Sequence, residues 1–230
     1  MDVTAMQKGT QQQLNAMDIP IVSEDIIWYL NRSQEQFIDE QYVPLRGRYT
    51  DNQNIKVYTT AQQAIENLRT IITTEMIDNI AINVVPQFDN AKSILLDGLQ
   101  EEFYFYIRSQ TRITLEGDWI NNDLAEQENI QKFIKTRSNT PMFRNNPVLI
   151  EGNMIYVFYD SQENSDIYEV ALTYIRSPKE LVRDAPEVDE TTTCELPPHT
   201  HKDIIDLAVV LARKDMKGEN ARMKREQIEG

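Results

Sequence analysis

The densest apolar pattern in the chain lies just after a double proline. Ile204, Leu207, Ala208 and Leu211 recur at helical spacing, and Ile205, Val209 and Ala212 widen that stripe until little before Arg213 is clearly solvent-facing. Pro197 and Pro198 end whatever precedes them, because proline offers no amide donor and pushes its predecessor out of the helical region. Thr200 stands as the N-cap of the helix, with Asp203 three positions on as its capping-box partner. A stripe this broad needs neighbours on several sides.

Two more helices follow from the same spacing rule. Ser23 caps the first, Glu24 and Asp25 suit the positive end of its dipole, and Ile27, Leu30, Phe37 and Ile38 form its apolar side, broadened by Trp28 and Tyr29. Residues 43–59 carry Pro44, Gly47 and a polar run, the marks of a loop. Thr60 and Gln63 make a capping box for a second helix, with Ile65, Leu68, Ile72 and Met76 on its inner side and its end near Asp78. Two such helices joined by a loop predict a hairpin.

From Ile80 the preference turns to β-branched and aromatic residues. Pro86 marks a turn, and 93–96 and 103–107 are candidate strands. Asn122 to Thr136 reads as a helix with Leu124, Ile130, Phe133 and Ile134 inward. The clearest β signal is a hairpin, Val148 to Ile150 and Met154 to Tyr159, turning at Glu151-Gly152-Asn153. Ile167 to Ile175 adds a third strand, its Tyr168, Val170, Leu172 and Tyr174 alternating with Glu169, Ala171 and Thr173. These three predict an antiparallel meander covered on one face by helices, hence an α+β fold rather than a parallel α/β one. The expected organisation is a flexible N-terminal arm over 1–18, a single domain over 19–212 with a central insertion around 81–140, and a charged C-terminal arm over 213–230.

Charge changes the picture of partners. The chain has 37 acidic residues against 23 Lys+Arg, a net of −14, which opposes tight binding to phosphate. An acidic wall can still surround a passing duplex without holding it. The charge is unevenly distributed: in residues 213–225, Arg213, Lys214, Lys217, Arg222, Lys224 and Arg225 stand against only Asp215 and Glu219. That run reads as a solvated tail or as a basic arm that docks on an acidic neighbour. Cys194 is the single cysteine, so no intramolecular disulfide is available, and no segment has the length of apolar sequence that spans a bilayer. The chain reads as soluble, untargeted and folded in a reducing cytoplasm.

Candidate chemistry is sparse. The seven glycines are too scattered for a phosphate-cradling loop, and there is no nucleophile elbow, HExxH or cysteine pair. Cys194, Glu195, His199 and His201 are four potential metal ligands within eight positions, but one proline-interrupted run is not how two separated ligand pairs close a tetrahedral site. No metal and no cofactor is expected. Cys194 lacks an oriented base and an oxyanion site to act as a nucleophile. Phe103 to Tyr106 and Tyr156 to Tyr159 are aromatic runs without interleaved basic residues, so packing in a sheet or at a subunit boundary is expected rather than stacking of bases.

Residues 194–225 with the lead-in YIRSPKELV at 174–182 resemble the C-terminal part of ring or adaptor proteins in the head-to-tail connector of tailed phages. The likeness is to the ring proteins of crAss-like podoviruses, and residues 23–42, SEDIIWYLNRSQEQFIDEQY, are similar to the first helix of that group. The resemblance implies a virion structural protein rather than an enzyme. It implies copies closed in a ring, usually a dodecamer, lining or surrounding the DNA channel between portal and tail. Partners would be the portal and neighbouring ring or tail proteins, with DNA passing through without specific binding and no membrane contact. The location would be the virion, and the host cytoplasm before assembly. The rival expectations are a small soluble hydrolase with an acidic catalytic pair and a host cytoplasmic binding module.

Overall fold

The computed structural model describes residues 1–19, 21–47, 55–78, 83–84, 91–113, 116–125, 145–159, 167–183 and 190–229, with the backbone alone at 23, 44–47, 55–59, 83–84, 145 and 217–229. The fold is α+β. Its contacts group into two units, residues 1–71 with 178–230 and residues 72–177, in place of one domain over 19–212. The second unit is therefore an insertion into the first, wider than the 81–140 expected.

The first unit is helical. It contains α1 (Val3–Asn15), α2 (Ser23–Gly47), α3 (Ile55–Leu68) and α4 (His201–Glu229), with a short parallel pair, β9 (Glu180–Leu181) and β10 (Glu190–Thr191). Helix α2 packs on α1, α3 and α4, and α1 packs on α4. The stripe after the double proline behaves as its spacing predicts. Ile204, Ile205, Ala208, Val209 and Ala212 are buried, Leu207 and Leu211 half-buried.

The start of this helix differs in detail. Pro198–Thr200 form a 3-10 turn, and the Thr200 hydroxyl donates back to the Pro197 carbonyl at 2.8 Å instead of answering the helix with a capping bond of its own. Helix α4 then runs without a break to Glu229, so the segment 213–229 is helical.

Residues 1–18 are not an arm. Val3, Met6, Gln7, Thr10 and Leu14 repeat at spacings of three and four and are all buried. Two of those positions are polar, which hid the stripe in the sequence. Thr10 satisfies its hydroxyl on the Met6 carbonyl at 3.0 Å, and the Gln7 side-chain oxygen accepts from Arg183 at 3.2 Å. Gly9 faces α4, where a Cβ would stand 3.4 Å from Ile205 Cδ1. The first residues are also laced to the approach to α4. Val3 N donates to Thr192 O at 2.8 Å and Cys194 N to Met1 O at 3.1 Å.

The helical hairpin is present, with corrected limits. Helix α2 continues through Pro44 to Gly47, where proline removes a single ladder bond near the helix end, and α3 begins at Ile55, upstream of the proposed Thr60 capping box. The second helix stops at Leu68 rather than Asp78. Residues 72–78 form strand β1 instead, because the run Ile71-Ile72-Thr73-Thr74 is β-branched throughout and outweighs the helical spacing of Ile72 and Met76.

The second unit is one sheet. Its strands are β1 (Ile72–Asp78), β2 (Asn83–Val84), β3 (Ala91–Leu95), β4 (Phe103–Arg112), β5 (Ile120–Leu124), β6 (Asn145–Glu151), β7 (Met154–Phe158) and β8 (Glu169–Arg176), in the spatial order β1-β8-β4-β5-β6-β7-β3-β2. All its neighbours are antiparallel except β5 and β6. The hairpin β6–β7 turns where expected, with Gly152 at φ 57. The third strand does not extend it into a meander. Strand β8 lies between β1 and β4, pairing Ile175 with Ile72 and Tyr174 with Tyr106, because long-range partners rather than chain order complete its ladder.

The segment 122–136 begins as strand β5, not as a helix, and 126–136 lies outside the described residues. Asn122 is buried there and joins its neighbour strand through its side chain, donating to Ser109 Oγ at 2.8 Å and accepting from Thr111 at 2.9 Å. Pro86 and the connection 160–166 also lie outside the described residues. The main core of the unit unites Ile94, Tyr106, Val148, Ile155, Val170 and Leu172.

Candidate docking surfaces

Helix α4 carries the basic run. Arg213 and Lys214 are exposed, immediately after the buried Ala212, and the helical backbone continues for roughly 25 Å beyond at the usual rise per residue. Lys217, Arg222, Lys224 and Arg225 follow along the same helix. The six bases predicted from the sequence thus belong to one continuous element.

The sheet unit contains a groove of about 540 Å³ lined by Leu96, Asp97, Leu99, Glu101, Glu102 and Phe103, with Ile150, Gly152 and Asn153 on its other side. Its walls are tied by backbone. Leu96 N donates to Asn153 O at 3.1 Å, Leu99 N to Leu96 O at 3.2 Å, and Gln100 N to Glu75 Oε2 at 3.0 Å. Leu99, Phe103 and Ile150 pack against the main core from this side, so the floor is apolar. Asp97, Glu101 and Glu102 are exposed at the rim.

Beside the groove, the Tyr174 hydroxyl lies 3.0 Å from the Glu101 carbonyl and 3.2 Å from Glu75 Oε2. Burial, then the Glu75 carboxylate, pushes that phenol up to about 12. The groove offers a negative margin over an apolar floor.

A second groove, of about 450 Å³, belongs to the helical unit and runs along α2 and residues 178–180. Trp28 is 51% exposed at its edge, with the Arg32 guanidinium 5.1 Å from its ring centre and Tyr29 in edge contact at 4.9 Å. Asn31, one turn on, holds the strap 178–181 to α2. Its Nδ2 donates to Leu181 O at 3.1 Å and its Oδ1 accepts from Leu181 N at 2.8 Å, so one side-chain amide satisfies both backbone groups as a neighbouring strand would.

The four potential ligands at 194–201 are not brought together. Cys194 is buried and donates to Gln34 Oε1 at 3.3 Å, with its thiol pushed up by burial. Glu195 accepts from Lys179 N at 3.0 Å. His199 is exposed and bonded to Asn67 Oδ1 at 2.9 Å. His201 is buried with Nε2 on the Leu196 carbonyl at 2.7 Å and Nδ1 on the Met1 amine at 2.9 Å. A carbonyl only accepts and an ammonium only donates, so His201 is neutral with its proton on Nε2. Burial holds its pKa below the usual histidine value. No cluster of three such residues suited to a metal ion exists among the described residues.

The aromatic runs are packed. Tyr106 and Phe158 are buried, and Phe103 stacks near Tyr174 at 5.6 Å. No helix among the described residues is long and apolar enough to cross a membrane. Both grooves escaped the sequence. Each joins segments far apart in the chain, and the only local signal was the exposed aromatic and acidic residues themselves. No protein-family model and no curated protein matches the chain.

Proposed function

We propose that the chain is a ring-forming structural subunit of a phage head-to-tail connector. The observation that carries this reading is that 23–42, 178–182 and 194–225, most of the stretches bearing the resemblance, belong to one folded unit, while 174–177 at the start of the lead-in belong to the sheet unit. Helix α2, covering 23–42, packs on α4, and the lead-in at 178–181 is clamped to α2 by Asn31. A likeness at two ends of a sequence has more weight when those ends make a common core.

In this reading the function is mechanical. Copies associate head to tail, and a heterologous contact whose rotation completes a circle gives a closed ring, usually a dodecamer, between portal and tail. The net charge of −14 keeps the DNA passing through the channel from adhering to the wall. The basic end of α4 supplies the complementary charge for a protein neighbour. The virion is the final location, with the host cytoplasm the site of folding.

Electron microscopy of the chain purified together with its portal tests this. A cyclic ring of this subunit stacked on the portal is the expected image. A particle of portal alone, with this chain remaining a separate globule at concentrations where the portal assembles, would refute it.

A further inference from the structure

We infer that the acid-rimmed groove of the sheet unit receives the basic end of α4 from a second copy of this chain. The inference deepens the ring reading by naming its subunit contact, and rests on that reading for the closed arrangement.

The groove and the helix end match in two respects. The rim presents Asp97, Glu101 and Glu102, and the segment 213–225 carries six bases against two acids in a sequence of net charge −14. Arg and Lys also have long aliphatic stems, which cover apolar surface while the charged heads stay at a wet margin. A floor of Leu96, Leu99, Phe103 and Ile150 beneath an acidic rim suits that side-chain type better than it suits a purely apolar or purely anionic ligand. The Glu75 carboxylate beside Tyr174 adds to the negative field there.

The groove is already formed. The 3-10 turn Leu96–Gly98, the Gly152 turn and the bond from Gln100 N to Glu75 hold its walls, so a partner has little to reorganise on arrival. Donor and acceptor surfaces lie in different units of one chain. Copy-to-copy docking through them is heterologous when each copy gives its helix to one neighbour and its groove to another, the geometry that propagates and can close a ring.

The test is zero-length carbodiimide cross-linking of the full chain, using an equal mixture of nitrogen-15 and unlabelled protein. Links from Lys214 to the peptide holding Asp97, Glu101 and Glu102 are expected, with mixed-label pairs present. Glu101→Lys with Glu102→Lys should weaken self-association about ten-fold, as should Arg213→Glu with Lys214→Glu, and mixing the two variants should restore it. All four side chains are exposed, and circular dichroism confirms that each variant is folded. The attraction should also fall as salt rises.

Three results overturn the inference: no such link, links within one label only, or association indifferent to charge reversal. Rings on the portal without these links leave the connector reading standing and remove this contact. Mixed-label links in a chain absent from any connector would do the reverse.

Discussion

Asn31→Ala is the sharpest test of how the helical unit is held. The Asn31 amide makes two bonds to Leu181, at 3.1 and 2.8 Å, and Leu181 is fully buried. Each such bond contributes about 1 kcal/mol net, and a buried backbone group left without a partner costs about 1–3 kcal/mol. Asn31 also lines the groove beside Trp28, where water can enter and replace part of what is lost. The expected cost is therefore about 2 kcal/mol, nearer the sum of two net bonds than the full desolvation penalty.

The chain provides its own assay. Its two tryptophans, Trp28 and Trp119, fall one in each unit. In a Trp119→Phe background, the fluorescence of Trp28 reports the helical unit during urea unfolding, and the midpoint should fall on Asn31→Ala with an unchanged slope. Asn31→Asp discriminates further. It keeps an acceptor for Leu181 N but sets a carboxylate against Leu181 O, so at neutral pH it should be at least as unstable as Asn31→Ala. A loss below about 0.5 kcal/mol for Asn31→Ala would show that the clamp does not hold the strap, and would refute the reasoning.

Three further outcomes follow from single residues. Because His201 is held neutral with a lowered pKa, the unfolded chain binds its proton first as pH falls through 6.5, so stability of the helical unit should decline below that value, and His201→Gln should flatten the profile of urea midpoint against pH. Gly152→Ala meets no atom within 4 Å, so its cost is the positive φ alone, about 1–2 kcal/mol, read from Trp119 fluorescence in a Trp28→Phe background. Cys194 should react with an aromatic disulfide reagent only as fast as the helical unit opens, because burial disfavours its thiolate; rapid labelling of the folded chain would contradict this.

What the sequence disclosed depended on whether the decisive interactions were local. The hairpin β6–β7 was legible because Glu151-Gly152-Asn153 contains the one residue that accepts the positive φ of the turn. The stripe of α4 was legible because its buried positions are apolar. Helix α1 was not, since Gln7 and Thr10 occupy buried positions and look like solvated residues until their partners are known. Strand β1 was misread for a different reason: Ile65, Leu68, Ile72 and Met76 keep helical spacing across a boundary that the β-branched run sets. The position of β8 between β1 and β4 lies in no local pattern at all. The same limit applies to the groove, which exists only because residues 96–103 and 150–153 meet.

The way the sheet unit enters and leaves the chain explains how so large an insertion is tolerated. Its first strand pairs with its last, Ile72 opposite Ile175, so the points of entry and exit are neighbours across an antiparallel ladder, on the order of 5 Å apart. From the helical unit the insertion is equivalent to a short turn, and the entropy of closing a long loop is met by the sheet's own folding. The helical unit also has buried side chains of its own, among them Met6, Leu14, Leu30, Phe37, Leu68 and Ile204. Replacing residues 72–177 by a Gly-Ser turn of about four residues should then leave a helical protein that unfolds cooperatively by Trp28 fluorescence, with Cys194 still shielded from thiol reagent. Loss of the cooperative transition would mean that the two units complete one another's cores, and that the adjacency of Ile72 and Ile175 is not what makes the insertion tolerable.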